Sequence, residues 1–420
     1  MNSAIGSHII KIYINAKGYK LYNMEEIRQI DLKINTRKTD KSVLRKLSHA
    51  FVEAKWSIND ALSSDDIFAY KYNEHRKVLC FDKDRNQVER EITLNTGIHQ
   101  NLIKKLKEDI RNLHMKKLKG GKVGKLKYRR EVSCLPIRHQ GMNIKSGSVM
   151  TIPGFPNLKV HGLEQLKKYE SYNLHDSFLI WKPDGFHIKL CLTAEIADFP
   201  EKGKSCGIDM GIKDTVTVSD GTKFDVSEQE TEKLKRLQRH LALKSDKDSK
   251  RRKHLLRLVK REYQHISNVR DDKANKIVHW LYANYDFVYF QDEQIASWQK
   301  NRRRGYGRDV QHSCLGRIKQ KLVQKEGIAS FKLSKWEPTT RLCTACGSLL
   351  DMPPSKRIFA CDCGITEDRD IHAAKNILMI GSSQRAERAE RPSVENLLSV
   401  PCLQGSTIED PLKRKEARPL

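Results

Sequence analysis

Two cysteine pairs, Cys343-x-x-Cys346 and Cys361-x-Cys363, stand fourteen residues apart, and each is followed by a glycine, Gly347 and Gly364. Pairs at this spacing on two tight turns bring four thiolates to the corners of a tetrahedron, the arrangement a structural Zn²⁺ takes. The second pair is one residue shorter than the usual two-residue gap and calls for a tighter knuckle. Protein fills all four positions, so one structural ion is expected here and not a catalytic one. The other cysteines, Cys80, Cys134, Cys191, Cys206, Cys314 and Cys402, are scattered and read as ordinary thiols. No apolar run approaches the roughly 18 residues that cross a bilayer. The opening MNSAIGSHIIKIYINAKGYK lacks a signal peptide's apolar core. A reducing, cytoplasmic setting without membrane contact is expected, and disulfides are not.

Lysine plus arginine number 79 against 52 aspartates and glutamates, a net charge of +27 over 420 residues. A field of that sign and size calls for a polyanionic partner. The cations gather in three places. RLQRHLALKSDKDSKRRKHLLRLVKREY interleaves a leucine packing stripe with a basic face for phosphates, carrying Arg236, Arg239, Lys250, Arg251, Arg252 and Lys253. WQKNRRRGYGR puts Arg302, Arg303 and Arg304 in a loop expected to meet the substrate strand near the cut. KKLKGGKVGKLKYRR is the third.

Short alternating runs such as HIIKIYI mark strands in the first 35 residues and again over 147–194. Hairpin turns are expected at Gly154-Phe155-Pro156 and at Pro183-Asp184-Gly185. Leu44, Leu47, Phe51 and Ala54, and then Ile98, Leu102, Ile103, Leu106 and Ile110, recur at helical spacing and predict helices over 41–75 and 97–118. The N-terminal half therefore reads as a small β-barrel with a helical insertion. From residue 203, apolar strands (KSCGIDMG, TVTVSDG, TKFDV, NYDFVYFQDEQI, GIASFKLS) alternate with helices over 228–283 and 308–326. That pattern argues for an α/β multidomain chain with a nuclease-like sheet. Beyond about 382 the periodicity is lost and a disordered tail is expected.

Metal-dependent phosphodiester cleavage needs carboxylates able to hold two Mg²⁺ ions about 4 Å apart. Asp209 follows the apolar strand of CGIDMG. In VYFQDEQIASW the period of two puts Gln291 and Glu293 on one strand face and turns Asp292 away, so Glu293 is the expected second acid and Asp292 its alternative. In TEDRDIHAAKNIL a helix starting near residue 370 puts Asp370 in its first turn, inward with Ala373 and Ala374, and leaves Asp368 as a cap or an outward acid.

GIDMGIKDTVTVSDG, FVYFQDEQIASW, PTTRLCTACG and CDCGITEDRDIHAAKNIL together resemble TnpB, the nuclease of IS200/IS605- and IS607-type insertion elements, and the miniature type V CRISPR effectors. The resemblance is specific over about 203–380 and covers the N-terminal half only in layout. It implies a RuvC-like (RNase H-fold) nuclease with Asp209, Glu293 and Asp370 as its acidic triad on two Mg²⁺. It also implies a bound guide (omega) RNA and cleavage of double-stranded DNA beside a short adjacent motif, in the service of transposon maintenance. The implied layout is a wedge β-barrel over 1–38 and 119–200, a helical recognition domain over 39–118, and the nuclease over 201–338 and 367–382. The zinc ribbon falls at 339–366 and the tail at 383–420, and a monomer is favoured. Two positions depart from the family pattern: the glutamate sits in Gln291-Asp292-Glu293, and His372 stands where an asparagine is usual. The intact triad speaks against a nuclease-silent RNA-guided repressor. The ribbon before the third acid and the long basic helices speak against a DDE-type transposase or junction resolvase acting without RNA.

Overall fold

The computed structural model describes residues 9–14, 20–81, 86–145, 147–169, 171–195, 202–300, 305–326, 329–353 and 355–390. They form two units, Met1–Glu201 with Gln229–Val269, and Lys202–Glu228 with Arg270–Leu420.

The first unit opens with β1 (Ile9–Ile14), β2 (Lys20–Ile34), α1 (Lys41–Ser63), β3 (Lys77–Phe81), β4 (Gln87–Glu91) and α2 (Thr96–Leu118). Strands β5 (Cys134–Ile137), β6 (Asn143–Ile144), β7 (Val149–Ile152), β8 (Phe155–His161), β9 (Tyr172–Lys182) and β10 (Gly185–Glu195) follow. All but β3 and β4 join an eight-stranded antiparallel sheet in the order β5-β9-β10-β2-β8-β7-β6, with β1 on β2. Its end strands β5 and β6 do not pair with each other among the described residues, so the expected barrel is an open half-barrel. Pro136, which has no N–H to give, sits in the edge strand β5, where proline is tolerated.

Asp40 caps α1 by accepting the Ser42 N–H at 2.7 Å, and Asn95 caps α2 by accepting the Gly97 N–H at 3.0 Å. The buried stripes Leu47, Phe51 and Ala54 of α1 and Ile98, Leu102 and Leu106 of α2 share a core with Leu32, Leu135 and Leu190 of the sheet. Each such leucine or isoleucine contributes about 1.5–3 kcal/mol by leaving water. The helix predicted over 41–75 stops at Ser63, because the Ser63 and Ser64 hydroxyls donate back to the carbonyls of Asp60 and Ala61, both at 2.7 Å. Turns fill residues 64–76, and the β3–β4 hairpin follows from Lys77. The β9–β10 turn falls at Pro183-Asp184, with Lys182 paired to Gly185. The β7–β8 turn falls at Pro153-Gly154, one residue earlier than expected, since Ile152 pairs with Phe155. The unit also holds α3 (Glu232–Ala242) and α4 (Lys250–Asn284) as far as Val269, zipped through Leu234, Leu237, Val259 and Ile266.

In the second unit, β11 (Ser205–Asp209), β12 (Val216–Val218), β13 (Lys223–Phe224), β14 (Phe287–Gln291) and β15 (Ser330–Leu333) make one sheet in the order β13-β12-β11-β14-β15. β11, β14 and β15 are parallel, whereas β12 and β13 return antiparallel. β14 shows why its sequence is apolar throughout: Val288 and Phe290 join one core with Ile208, Leu281 and Ile318, while Phe287 and Tyr289 join another with Phe331, Leu333 and Ile377. The remaining helices are α5 (Ile295–Trp298), α6 (Tyr306–His312), α7 (Leu315–Val323) and α8 (Arg369–Glu390), and β16 (Ile358–Ala360) with β17 (Thr366–Asp368) forms a hairpin. The single helix predicted over 308–326 is in fact α6 and α7, broken where Cys314 turns to φ 58°. α8 runs on to Glu390, past the boundary set at 382, because RAERAE is made of strong helix formers. Residues 391–420 of the predicted tail lie outside the described residues. No helix among the described residues is long and apolar enough to cross a membrane.

Candidate functional site

Asp209 is the last residue of β11, and α8 lies against that strand. The approach is so close that a Cβ on Gly207 would stand 2.1 Å from the Ala374 carbonyl oxygen, so only glycine fits. Asp368 caps α8, its Oδ1 accepting the N–H of Asp370 at 2.9 Å and of Ile371 at 3.2 Å. The cap reading of Asp368 holds, and Lys223 pairs with its carboxylate at 2.9 Å. Asp370, one turn before Ala374, points its carboxyl toward Arg369 at 3.0 Å and Arg357 at 3.9 Å.

Burial, then the charge of Asp370, then that of Glu293, push the Asp209 carboxyl up to about 7. The three expected acids are thus electrostatic neighbours. They do not form a tight cage: among the described residues, only the four cysteines form a His/Cys/Asp/Glu group with all ligand atoms within 4.8 Å of one another.

Glu293 reaches this place by another route than strand alternation. β14 ends at Gln291, whose buried amide donates to Ser334 O at 3.1 Å and Glu337 O at 2.9 Å and accepts the Thr339 hydroxyl at 3.0 Å. Glu293 lies beyond the strand, in a turn closed by its own N–H on Gln291 O at 2.9 Å. The period-of-two argument therefore does not extend to it. Asp292 and Glu293 divide by environment. The Lys319 ammonium, 2.5 Å from Asp292, holds that carboxyl below its usual range, with Lys332 at 3.8 Å. Burial raises Glu293, against the nearby Lys319 charge. Lys319 also donates to the Glu293 carbonyl at 2.7 Å. The reading of the sequence missed Lys319 and Gln291. Lys319 borders the Leu315/Ile318/Leu322 stripe, four residues after Leu315, and the one polar residue of an otherwise apolar FVYFQ strand was the available signal for Gln291.

The four cysteines converge as expected. Cys343 Sγ lies 3.5 Å from Cys363 Sγ, and Cys346 Sγ lies 3.6 Å from Cys361 Sγ. A tetrahedron with metal–sulfur bonds near 2.3 Å has edges of about 3.8 Å, so the thiols fit a thiophilic ion. In the first knuckle the Cys343 N–H donates to Ser348 O at 2.9 Å, and in the tighter second one the Gly364 N–H donates to Cys361 O at 2.9 Å. Gly347 at φ 74° and Gly364 at φ 100° adopt the left-handed turns both knuckles need. Ser348 lowers the Cys346 thiol to about 6 through its hydroxyl and backbone.

The ribbon is anchored to α8. His372 is fully buried, stacked on Phe359 at 3.6 Å, with its ring nitrogens 2.7 Å from Glu367 Oε1 and 2.7 Å from Leu342 O. Asn376 Nδ2 donates to Thr339 O and Leu342 O, both at 2.7 Å. The residue preceding Cys343 is thereby held by the helix that carries Asp370.

Of the expected phosphate contacts, Arg236, Arg239, Lys250, Arg251 and Lys253 are exposed, and Arg252 is half-buried with its Nε donating to Lys244 O at 3.0 Å. Lys253 pairs with Asp248 at 3.1 Å. Arg236 also lines a cavity of about 560 Å³ with Lys233, Arg261 and His265. Arg302, Arg303 and Arg304 lie outside the described residues.

Residues 190–297 match a family model described as "Probable transposase" (OrfB_IS605), and residues 315–377 match the "Cas12f1-like, TNB domain". A "Putative RNA-guided DNA endonuclease" of Streptomyces pristinaespiralis is 29% identical over 47% of this chain and 50% of its own length. "TnpB-like protein L79" of Acanthamoeba polyphaga mimivirus is 27% identical over 42% of this chain and 37% of its own. A solved structure titled "Cryo-EM structure of the Cas12f1-sgRNA-target DNA complex" is similar at 13% identity and a TM-score of 0.40, over 67% of this chain and 70% of that one. The chain spans half or less of the length of the two curated relatives named here. The sheet with its acids thus falls largely within the segment similar to the OrfB model, and the cysteine ribbon within the segment similar to the TNB domain. Over these segments the chain is similar to proteins named TnpB-like and RNA-guided DNA endonuclease.

Proposed function

We propose that this chain is a RuvC-type, RNA-guided DNA endonuclease that cleaves double-stranded DNA beside a short adjacent motif, in a transposon setting. One arrangement carries the reading: Asp209 ends β11 beneath the helix whose first turn holds Asp370, and the Asp370 and Glu293 charges lie close enough to raise its carboxyl. Carboxyls from three separate elements, crowded until one resists ionising, are what a cation site looks like before its cations arrive. Asp209, Glu293 and Asp370 would hold two Mg²⁺, a spread wider than one ion's shell being suited to a pair. Bound there, Mg²⁺ supplies Lewis-acid polarisation of the scissile phosphate and a nucleophile at neutral pH. Lys319 takes up the Asp292 charge and fixes the Glu293 backbone, so that Glu293 alone of the two acids is left to the centre. Arg369 braces Asp370 at 3.0 Å.

Cys343, Cys346, Cys361 and Cys363 would hold one structural Zn²⁺. The exposed cations of α3 and α4 suit a nucleic-acid backbone, and pairing with a guide (omega) RNA would supply sequence recognition. The half-barrel and its helices take the wedge role at 1–38 and 119–200 and the recognition role at 39–118. The nuclease parts are then 201–338 and, with α8 extended, 367–390, around the ribbon at 339–366. We place the protein in the cytoplasm, acting as a monomer.

The test is to purify the protein with its RNA and supply Mg²⁺ and matched DNA. The expected result is RNase-sensitive cutting that Asp209→Ala abolishes while RNA binding persists. Cutting by Asp209→Ala near the wild-type rate overturns the assignment. Binding without cutting points to a repressor, and RNase-insensitive cutting to a DNA-only enzyme.

A further inference from the structure

The loop after β15, residues 334–339, is braced by β14 on one side and by α8 on the other. The buried Gln291 amide holds the Ser334 and Glu337 carbonyls and the Thr339 hydroxyl. From α8, Asn376 holds the Thr339 carbonyl at 2.7 Å, and Gln384 donates to Glu337 Oε1 at 2.9 Å. The Trp336 N–H donates to Ser334 Oγ at 3.3 Å. Yet the Trp336 ring at the centre of this loop is 81% exposed, the most of any large hydrophobic side chain among the described residues. Lys335 Nζ stands 4.4 Å from its centroid. The loop adjoins the acid centre: Gln291 is two residues before Glu293, and the Lys335 charge is felt by both Asp292 and Glu293.

An indole kept in water by a rigid loop gains its full contact area on meeting a flat partner, with little ordering left to do. The neighbouring lysine adds a site for an anion. A partner with an exposed aromatic face and a phosphate beside it is a single-stranded nucleic acid; in a duplex the base faces are already covered by their neighbours.

We propose that Trp336 is a stacking platform for an unpaired nucleobase of the strand presented to the Asp209 centre, with Lys335 on an adjacent phosphate. The identity of that strand as the substrate rests on the nuclease reading; the stacking itself does not. A braced platform beside the acids sets where along the strand the scissile phosphate lies, so Trp336 contributes to choosing the cut position.

The protein with its co-purified RNA, in an Asp209→Ala background that leaves DNA uncut, is titrated with a short single-stranded oligodeoxynucleotide while tryptophan emission is recorded. The chain has five tryptophans, and Trp336→Phe removes the contribution of this one. The expected result is quenching in the parent that Trp336→Phe largely loses while keeping its affinity. Trp336→Ala should bind about 5- to 100-fold more weakly. Equal quenching in Trp336→Phe, or an unchanged affinity in Trp336→Ala, overturns the inference; the latter would leave the ring to a protein partner. If the protein cuts no DNA yet shows Trp336-dependent quenching, stacking stands and the nuclease reading falls. If cutting depends on Asp209 but quenching ignores Trp336, the reverse holds.

Discussion

The α-carbon of Gly207 faces the Ala374 carbonyl so closely that a methyl group there would stand 2.1 Å from the oxygen. This contact seats α8 on β11, and the Asp370 charge is felt at Asp209. Gly207→Ala must displace backbone on one side or the other, since the helix offers no flexible end to move. A loss of about 3 kcal/mol is expected, or a melting temperature lower by roughly 6–12 °C. Thermal unfolding of the variant measures it, and a transition at the parent temperature would show that α8 is not seated as described.

Asp209 binds its proton more tightly when folded, at about 7, than an ordinary aspartate does at 3.8. In metal-free protein the stabilisation from this group is therefore full below about pH 4 and lost as pH rises toward 7. Asp209→Asn should flatten that part of the stability curve, and Asp370→Asn should move the midpoint down by removing a neighbouring charge. Denaturant midpoints in EDTA across pH 4 to 8, a range of about the folded and unfolded values, test the sign. A parent that instead gains stability over that range, with Asp209→Asn following it, would contradict the crowded-acid description.

Glu293→Gln should reduce cutting about 10³-fold or more, in keeping with loss of a ligand group, whereas Asp292→Asn should cost far less because Lys319 already absorbs that charge. Single-turnover rates at saturating Mg²⁺ compare them. The opposite ranking would reassign the second acid to Asp292.

Cys343→Ser removes one of four thiols that lie within 4.8 Å of one another. The protein should then lose its zinc and become protease-sensitive over 339–366, and cutting should fall with it because Leu342 and Asp370 are tied through α8. Metal content by mass spectrometry and limited proteolysis are the readouts. A variant that keeps one zinc and full resistance would refute the four-thiolate site.

The parts legible in the sequence were those whose signal is local. The cysteine spacing, the strand-end Asp209 and the first-turn Asp370 with its Asp368 cap each need only a few neighbouring residues to be read. Glu293 was chosen over Asp292 on a geometry that fails, since β14 ends at Gln291 and a turn, not alternation, carries the chain onward. The open half-barrel was hidden because closure depends on whether β5 and β6 meet, a relation between strands that neither strand encodes. The break at Cys314 and the stop at Ser63 went unseen because a positive φ at cysteine and two back-bonding serines interrupt runs whose apolar spacing is otherwise helical.

The ribbon lies between the second acid and the third, and its last strand leads straight into α8. A ribosome therefore releases Asp209 and Glu293 while the helix bearing Asp370 is still unmade. That helix docks beside a backbone carbonyl, Leu342 O, supplied by the ribbon it follows. On the function proposed above, closing of the knuckles and completion of the acid centre are therefore linked steps, because Leu342 of the ribbon is what the helix bearing Asp370 holds.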